Sequence, residues 1–433
     1  MIPLFLLASG FIILRFSNTS KKETVYQLQK RKAVNSNDKY WMAIYKQAEA
    51  HQDKLRLEPT NVKSKMALVS IFINEARAWG NHAYYDAAAM HYIDEVLLAE
   101  PKNFEASVMK AVVLLSQHRF EEALSQAENT RKINPYNSFV YGILVDANVE
   151  LGNYKKAIEA ADEMTNIRPD IRSYSRVAYL REIHGDNLGA IEAMKMAVSA
   201  GVPGEEATAW ARVQLAHLYE NTGQLPQAKE QYDIALSERD NYAFALGGKS
   251  RLLLNENKPD EAIKLFTQAD GLVDDVQFKE GLAAAYATKG ETEKASELYK
   301  KIVKEITEHE HFTATDDKTH YHAGIDLAYA ELNNKNMDEA FKAASAEYKR
   351  RPANIDVNEC MAWVLYQMDE PAEALSFINN ALSTNSQNPR LLCRAAIIYN
   401  ANNLAEKAIT IKNRALAAKP LLNKDLTIEC NKF

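Results

Sequence analysis

The chain is poor in cysteine, glycine and proline, with 3, 15 and 12 in 433 residues. Cys360, Cys393 and Cys430 are odd in number and far apart, and no Cys-x-x-Cys occurs. Neither a zinc finger nor a thioredoxin motif is therefore encoded, and buried thiols serving as small apolar groups are expected. The scarcity of Gly and Pro excludes a collagen-like chain, and 47% apolar residues exclude a disordered one. Basic residues are not in surplus: the net charge is −6, and beyond residue 60 the chain holds 42 Lys/Arg against 53 Asp/Glu. Such an acidic body lacks the clustered cations that nucleic-acid binding needs, so no nucleic-acid partner is expected. Catalytic signatures are missing too. There is no Gly-x-Ser-x-Gly elbow, no phosphate-binding Gly-rich loop after a strand and no His-Glu-x-x-His. The chain is not read as an enzyme, and no cofactor is expected.

Long apolar runs are also lacking, with one exception at the N-terminus. Residues 2–14 are almost wholly apolar, yet thirteen helical residues reach only about 20 Å, short of a bilayer core of about 30 Å. The length suits a signal peptide. The flanks suit it poorly, because the basic residues (Lys21, Lys22, Lys30, Arg31, Lys32) follow the run instead of preceding it. Leu7-Ala8-Ser9-Gly10 resembles the run before a lipoprotein cysteine, but Phe11 stands where that cysteine would be. Export or membrane association is the expectation, with a cytoplasmic location as the alternative.

What is abundant is alanine, 62 residues, the best helix former. Ten of them recur at regular intervals: Ala89, Ala123, Ala157, Ala190, Ala228, Ala262, Ala295, Ala340, Ala374 and Ala408. Most intervals are 33 or 34 residues, with one of 38 and one of 45. Twelve residues before most of these markers sits another small residue, as at Ala216, Ala283, Ala328, Ala362 and Ala396, and a polar turn lies between. Pro101, Pro135 and Pro169 follow three markers at twelve. Two antiparallel helices approach to about 8–10 Å when small residues occupy their crossing. A proline after the second helix stops it and can begin the next. No single pair buries its own apolar face, so stacked neighbours make the core.

This pattern resembles the tetratricopeptide repeat (TPR), which has small residues at its eighth and twentieth positions and often Pro at its thirty-second. The usual Trp at the fourth position is replaced by Ser107, Tyr141 and Arg212. The stretch around Arg168-Pro169-Asp170 and His184-Gly185-Asp186 further resembles a group of bacterial repeat proteins. The resemblance implies an all-α fold, a right-handed α-solenoid of about ten TPR-like helix-turn-helix repeats. The expected organisation is a signal-like or anchoring segment at 1–16, a basic linker with a capping helix over Lys39–Leu57 in 17–69, and seven repeats in 70–306. A His-rich insertion follows at 307–320, then three repeats in 321–420 and a cap at 421–433.

The resemblance also places first-helix side chains on a concave face. That register puts Asp146, Arg172, Arg176, Tyr179, Trp210, Gln214, His217 and Arg251 on one inner surface, where arginines could grip carboxylates and Trp could anchor a partner. The family's peptide clamp of Lys and Asn is not reproduced, since Val108/Val112, Gly142/Asp146 and Val213/His217 stand at its positions. The expected function is a non-catalytic scaffold binding a protein or extended peptide. Two rivals follow from other features. His309, His311, His320 and His322, with Asp316 and Asp317, are candidate metal ligands of a metal-binding protein or metal-dependent enzyme. The apolar N-terminus suggests a structural assembly factor at a bacterial membrane.

Overall fold

The structure is a computed structural model and describes residues 25–31, 39–314, 322 and 324–433. Among these residues there are helices and connecting segments but no strands. Helix α1, Lys39–Leu57, precedes ten antiparallel pairs. The first five are α2/α3 (Val62–Trp79, His82–Ala99), α4/α5 (Phe104–Ser116, Phe120–Ile133), α6/α7 (Ser138–Glu150, Tyr154–Ile167), α8/α9 (Ile171–Ile183, Asn187–Ala200) and α10/α11 (Glu206–Asn221, Leu225–Glu238). The next are α12/α13 (Ala243–Asn255, Pro259–Leu272), α14/α15 (Val276–Lys289, Thr292–Ala314), α16/α17 (Gly324–Asn333, Met337–Arg350), α18/α19 (Ile355–Gln367, Pro371–Ala381) and α20/α21 (Pro389–Ala401, Ala405–Leu416). A short α22, Lys424–Cys430, closes the chain.

The repeat register follows from the alanines. All ten markers lie on second helices and none is more than 4% exposed. Their partners on the first helices, such as Ala111, Ala178, Ala216 and Ala283, are completely buried. A larger side chain at either place would push the helices apart. The turn inside each pair holds a residue of positive φ, either glycine or a residue such as His118, Asn257 or Asp369. This left-handed residue satisfies the last carbonyls of the first helix, as where Arg119 N–H reaches Leu114 O at 2.9 Å.

Between pairs the prolines act differently from expectation. Pro101, Pro135 and Pro169 sit in the link ahead of the next helix, not within its first turn. The cap one or two residues later starts the helix. The Asn103 side chain accepts from Ala106 N–H at 2.9 Å, Asn137 from Val140 N–H at 3.2 Å, and Asp170 forms a capping box with Ser173. Pro226, Pro259, Pro371 and Pro389 do occupy first helical turns. The first pair begins at Val62, ahead of residue 70, and α15 runs on to Ala314, so the segment from 307 begins as helix.

The N-terminal strap, residues 25–31, runs along α2 and α3. The backbone N–H groups of Tyr26, Gln27 and Gln29 donate to the hydroxyls of Tyr92, Tyr84 and Tyr85. Arg31, which the sequence grouped with a basic cluster, is buried. Its guanidinium pairs with Glu75 at 2.5 and 2.8 Å and lies over the rings of Trp41 and Trp79.

The array also closes on itself. The intra-pair turns of early repeats meet the inter-pair links of late ones along a seam. His118 Nδ1 donates to His322 O at 2.8 Å, 204 residues away, and Arg350 donates to His118 O at 2.6 Å. Because a carbonyl can only accept, Nδ1 carries the hydrogen. Farther along, Asn354 Nδ2 donates to Glu150 O at 3.0 Å, and Ile355 N–H donates to the Tyr154 hydroxyl at 2.8 Å. Arg351 bridges Glu347 of its own repeat and Glu150, 201 residues away. At the last contact Leu421 N–H donates to Glu220 O at 2.9 Å. There the Gly223 turn approaches so closely that an added Cβ would stand 1.7 Å from Ala418 O. Successive turns of the superhelix thus touch edge to edge.

Candidate functional site

Seam closure turns the concave face into the wall of a lumen. Its main cavity, of about 1560 Å³, is lined by first-helix residues of the later repeats, by seam residues such as Arg351 and by the segment from Leu421 to Ile428. This volume exceeds the roughly 300–1,000 Å³ of a small-molecule pocket.

The residues singled out from sequence fall on α6, α8, α10 and α12, and the structure brings together two groups of them. In the first, Arg176 grips Asp146 with two parallel bonds of 2.8 and 2.6 Å and also donates to Gly142 O and Arg172 O. Gly142 makes room for this: an added Cβ would lie 3.2 Å from the guanidinium carbon. Arg172 is exposed and lies 5.1 Å over the Phe139 ring. In the second, Arg251 contacts His217 Nε2, donates to the Tyr232 hydroxyl at 3.0 Å and pairs with Glu220 at 3.4 Å. Tyr232 in turn donates to Glu220 at 2.7 Å. Burial and the adjoining guanidinium hold His217 well below its ordinary value, so it is neutral. Two of the three arginines expected to grip a partner's carboxylate therefore already hold carboxylates of this chain. Trp210 stands edge-on to Phe244 at 5.5 Å, and Gln214 is half-buried on the same helix. Tyr179 is 40% exposed.

A third network was missed by the sequence reading. On α18 and α20, Glu359 accepts from Arg394 at 2.8 Å and from Arg390 at 3.3 Å. Arg394 is held over Trp363 and Tyr329, at 4.8 and 5.0 Å from their centroids. Burial alone would raise the Glu359 carboxyl, but the two guanidiniums keep it below its ordinary value. The signal was present. Counting back from Ala362 and Ala396 puts Glu359, Trp363, Arg390 and Arg394 at the same inner positions that were read only as far as Arg251.

The wall also carries carboxyls without enough countercharge. Glu182 and Glu280 are pushed up to about 7 and Asp326 to about 6, chiefly because surrounding protein displaces bulk water. Glu150 likewise reaches about 7. Loss of water outweighs the pull of Arg351, which Glu347 shares. Glu150, Glu280 and Asp326 line the cavity, whereas Glu182 accepts from the Asn221 amide at 3.1 Å.

The histidine-rich candidates fall largely outside the described residues. This holds for the side chains of His309 and His311 and for His320, Asp316 and Asp317 entirely. His322 is described, through the carbonyl that receives His118. Among the described residues no group of three or more His, Cys, Asp or Glu could hold a metal ion. No described helix is long and apolar enough to cross a membrane, and residues 1–16 lie outside the described part.

Comparison with known proteins agrees with the helix pairs. The tetratricopeptide-repeat family profile matches residues 75–138 and 213–275. No curated protein matches the sequence significantly. Among solved structures, a thermophilic TPR protein of Thermus thermophilus is 21% identical, over 39% of this chain and 91% of that one, with a TM-score of 0.36. The Cut9–Hcn1 hetero-tetramer of the APC/C is 15% identical over 94% and 82%, with a TM-score of 0.41. A tetratricopeptide repeat protein from Parabacteroides merdae is 18% identical over 60% and 96%, with a TM-score of 0.33.

Proposed function

We propose that this chain, a tetratricopeptide-repeat protein, is a non-catalytic scaffold that receives an extended segment of a protein partner in its lumen. Tetratricopeptide repeats serve in general as protein-interaction scaffolds, which fits the coarse assignment. The observation that carries the finer one is the lumen: about 1560 Å³ of space lined by aromatic and ionisable side chains. Tyr329 and Trp363 supply stacking surface, and Trp and Tyr are frequent anchors at interfaces. The carboxyls of Glu280 and Asp326 favour a segment bearing Lys or Arg, because a cation would restore the charge stabilisation that lost water removed. On the earlier repeats the exposed Arg172 and Tyr179 are the open anchors, while Arg176 and Arg251 shape the wall. Asp146, Trp210, Gln214 and His217 complete that stretch. Export or membrane association through the N-terminal segment remains part of the proposal on sequence grounds.

A photo-crosslinking amino acid placed at Trp363, and separately at Ile158 on the outer face, tests the assignment in the native host. Adducts from the lumen position, weakened by Glu280→Gln with Asp326→Asn, are expected. Adducts from the outer position alone would overturn the lumen as the binding face.

A further inference from the structure

The three cysteines are not equivalent. All are buried. Cys360 lies in the α18 core, where burial pushes its thiol up to about 12. Cys393 on α20 and Cys430 on α22 are both completely buried in one small cluster with Leu392, Ala396, Ile397 and Ala415. The two helices that carry them pack directly against each other. The neighbouring Cys393 thiol lowers the Cys430 thiol, and the Lys412 ammonium adds to the effect against the opposing pull of burial.

The helix that carries Cys430 has little to hold it. Seven residues are too few for a stable helix by themselves. Besides the apolar cluster, α22 is tied by the Tyr366 hydroxyl donating to Glu429 at 2.8 Å. The tail beyond it is tied by Lys412 donating to the Phe433 carbonyl. Its first half and the segment before it form part of the lumen wall. Such a short element opens locally more readily than the repeats it packs against, and each opening exposes Cys430 to solvent.

We propose that Cys393 and Cys430 form a disulfide, with a low-molecular-weight disulfide as oxidant, and that this bond locks α22 against the last repeat. The Cys430 thiolate attacks one sulfur of the oxidant RS–SR, forming a mixed disulfide and releasing RS⁻. The Cys393 thiolate then attacks the Cys430 sulfur, closing the protein disulfide and releasing a second RS⁻. The two protein thiols give up two electrons and two protons, and the oxidant leaves as two RSH. Cys360 takes no part, since its cluster holds no second cysteine. The bond fixes one side of the lumen, so that its shape depends on the thiol–disulfide poise of the compartment.

The test uses the full-length protein, oxidised glutathione as the oxidant and alkylation of remaining thiols under denaturing conditions. In the wild type one alkyl group is expected, on Cys360, with a digest fragment that joins the peptides of Cys393 and Cys430 and is split by reductant. In Cys393→Ser the reaction should stop at glutathione bound to Cys430. In Cys430→Ser, Cys393 should remain alkylatable. Amide exchange across residues 424–430 should slow on oxidation and return with reductant. Three alkyl groups after oxidation, a bond to Cys360, or unchanged exchange across α22 would each overturn the proposal. The serine variants leave the marker alanines intact, and a far-ultraviolet helix signal equal to wild type verifies that they fold.

Discussion

Two kinds of interface hold this array together, and they are built from opposite chemistry. Within and between neighbouring pairs the buried core is apolar, and its alanines return at the same positions with the repeat. Along the seam the contacts are charged and polar: Arg351 with Glu150 and Glu347, Asn354 with the Glu150 carbonyl, His118 with the His322 carbonyl. The neighbour contact occurs in every repeat, so one solution in small residues serves them all. Each seam contact joins a different turn to a different link and is solved separately, with side chains that satisfy exposed backbone groups. The periodic interface supplies burial, and the aperiodic one supplies the specific pitch at which the superhelix closes.

That contrast can be broken most forcefully at Arg351. Its side chain is 7% exposed and that of Glu347 only 3%. Arg351→Ala leaves the buried Glu347 carboxylate with Arg350 alone and removes the charged hydrogen bond across the seam to Glu150, and should cost about 1.5–3 kcal/mol in urea unfolding. A loss under about 1 kcal/mol would mean that the seam is marginal. On the periodic side, Ala157→Leu should overpack a helix crossing and cost about 1–3 kcal/mol. Unchanged denaturant stability would show the repeat register to be wrong. A matched pair of glycines sharpens the comparison further. Gly223 and Gly290 both have positive φ, but an added Cβ meets Ala418 O at Gly223 and nothing within 4 Å at Gly290. Gly290→Ala should cost about 1–2 kcal/mol from backbone strain alone. Gly223→Ala should cost more, with faster amide exchange near residue 421, and equal costs would argue against close seam contact there.

The smallest effect is on pH dependence. Glu182 and Glu280 rise from 4.5 to about 7 on folding, so the native state holds protons that the unfolded chain has released. Their stabilisation is present below 4.5 and is lost as pH rises through 7. His118 runs the other way, lowered from 6.5 to about 4 by burial, so its contribution grows with pH across that interval. Above 6.5 the carboxyls dominate, and Tm should fall with rising pH. Glu182→Gln with Glu280→Gln should flatten the fall, and an unaltered profile would place its origin elsewhere.

The difference between the interfaces also explains what could be read in advance. The markers from Ala89 to Ala408 gave the repeats and their stacking because spacing encodes a contact between neighbours. That Asp146 meets Arg176, and His217 meets Arg251, was legible for the same reason, since register decides which residues of neighbouring first helices stand side by side. Glu220, which also takes up Arg251, went unread. The seam was invisible because residues such as Glu150 and Arg351 lie 201 apart with no repeated signature. Glu359, Arg390 and Arg394 were legible but unread, as the register was carried only through the sixth repeat.

The seam has a consequence for how the molecule comes apart. An open array of repeats melts like a one-dimensional chain of coupled units, fraying from its ends and folding wherever a nucleus happens to form. Contacts at separations of 201 and 204 residues tie the early units to the late ones. Such contacts come at the cost of closing long loops, so they form late and slow the final step of folding. Once made, they oblige an end unit to give up distant contacts as well as those of its neighbour. A linear sequence of repeats thereby gains the all-or-none character of a globular domain.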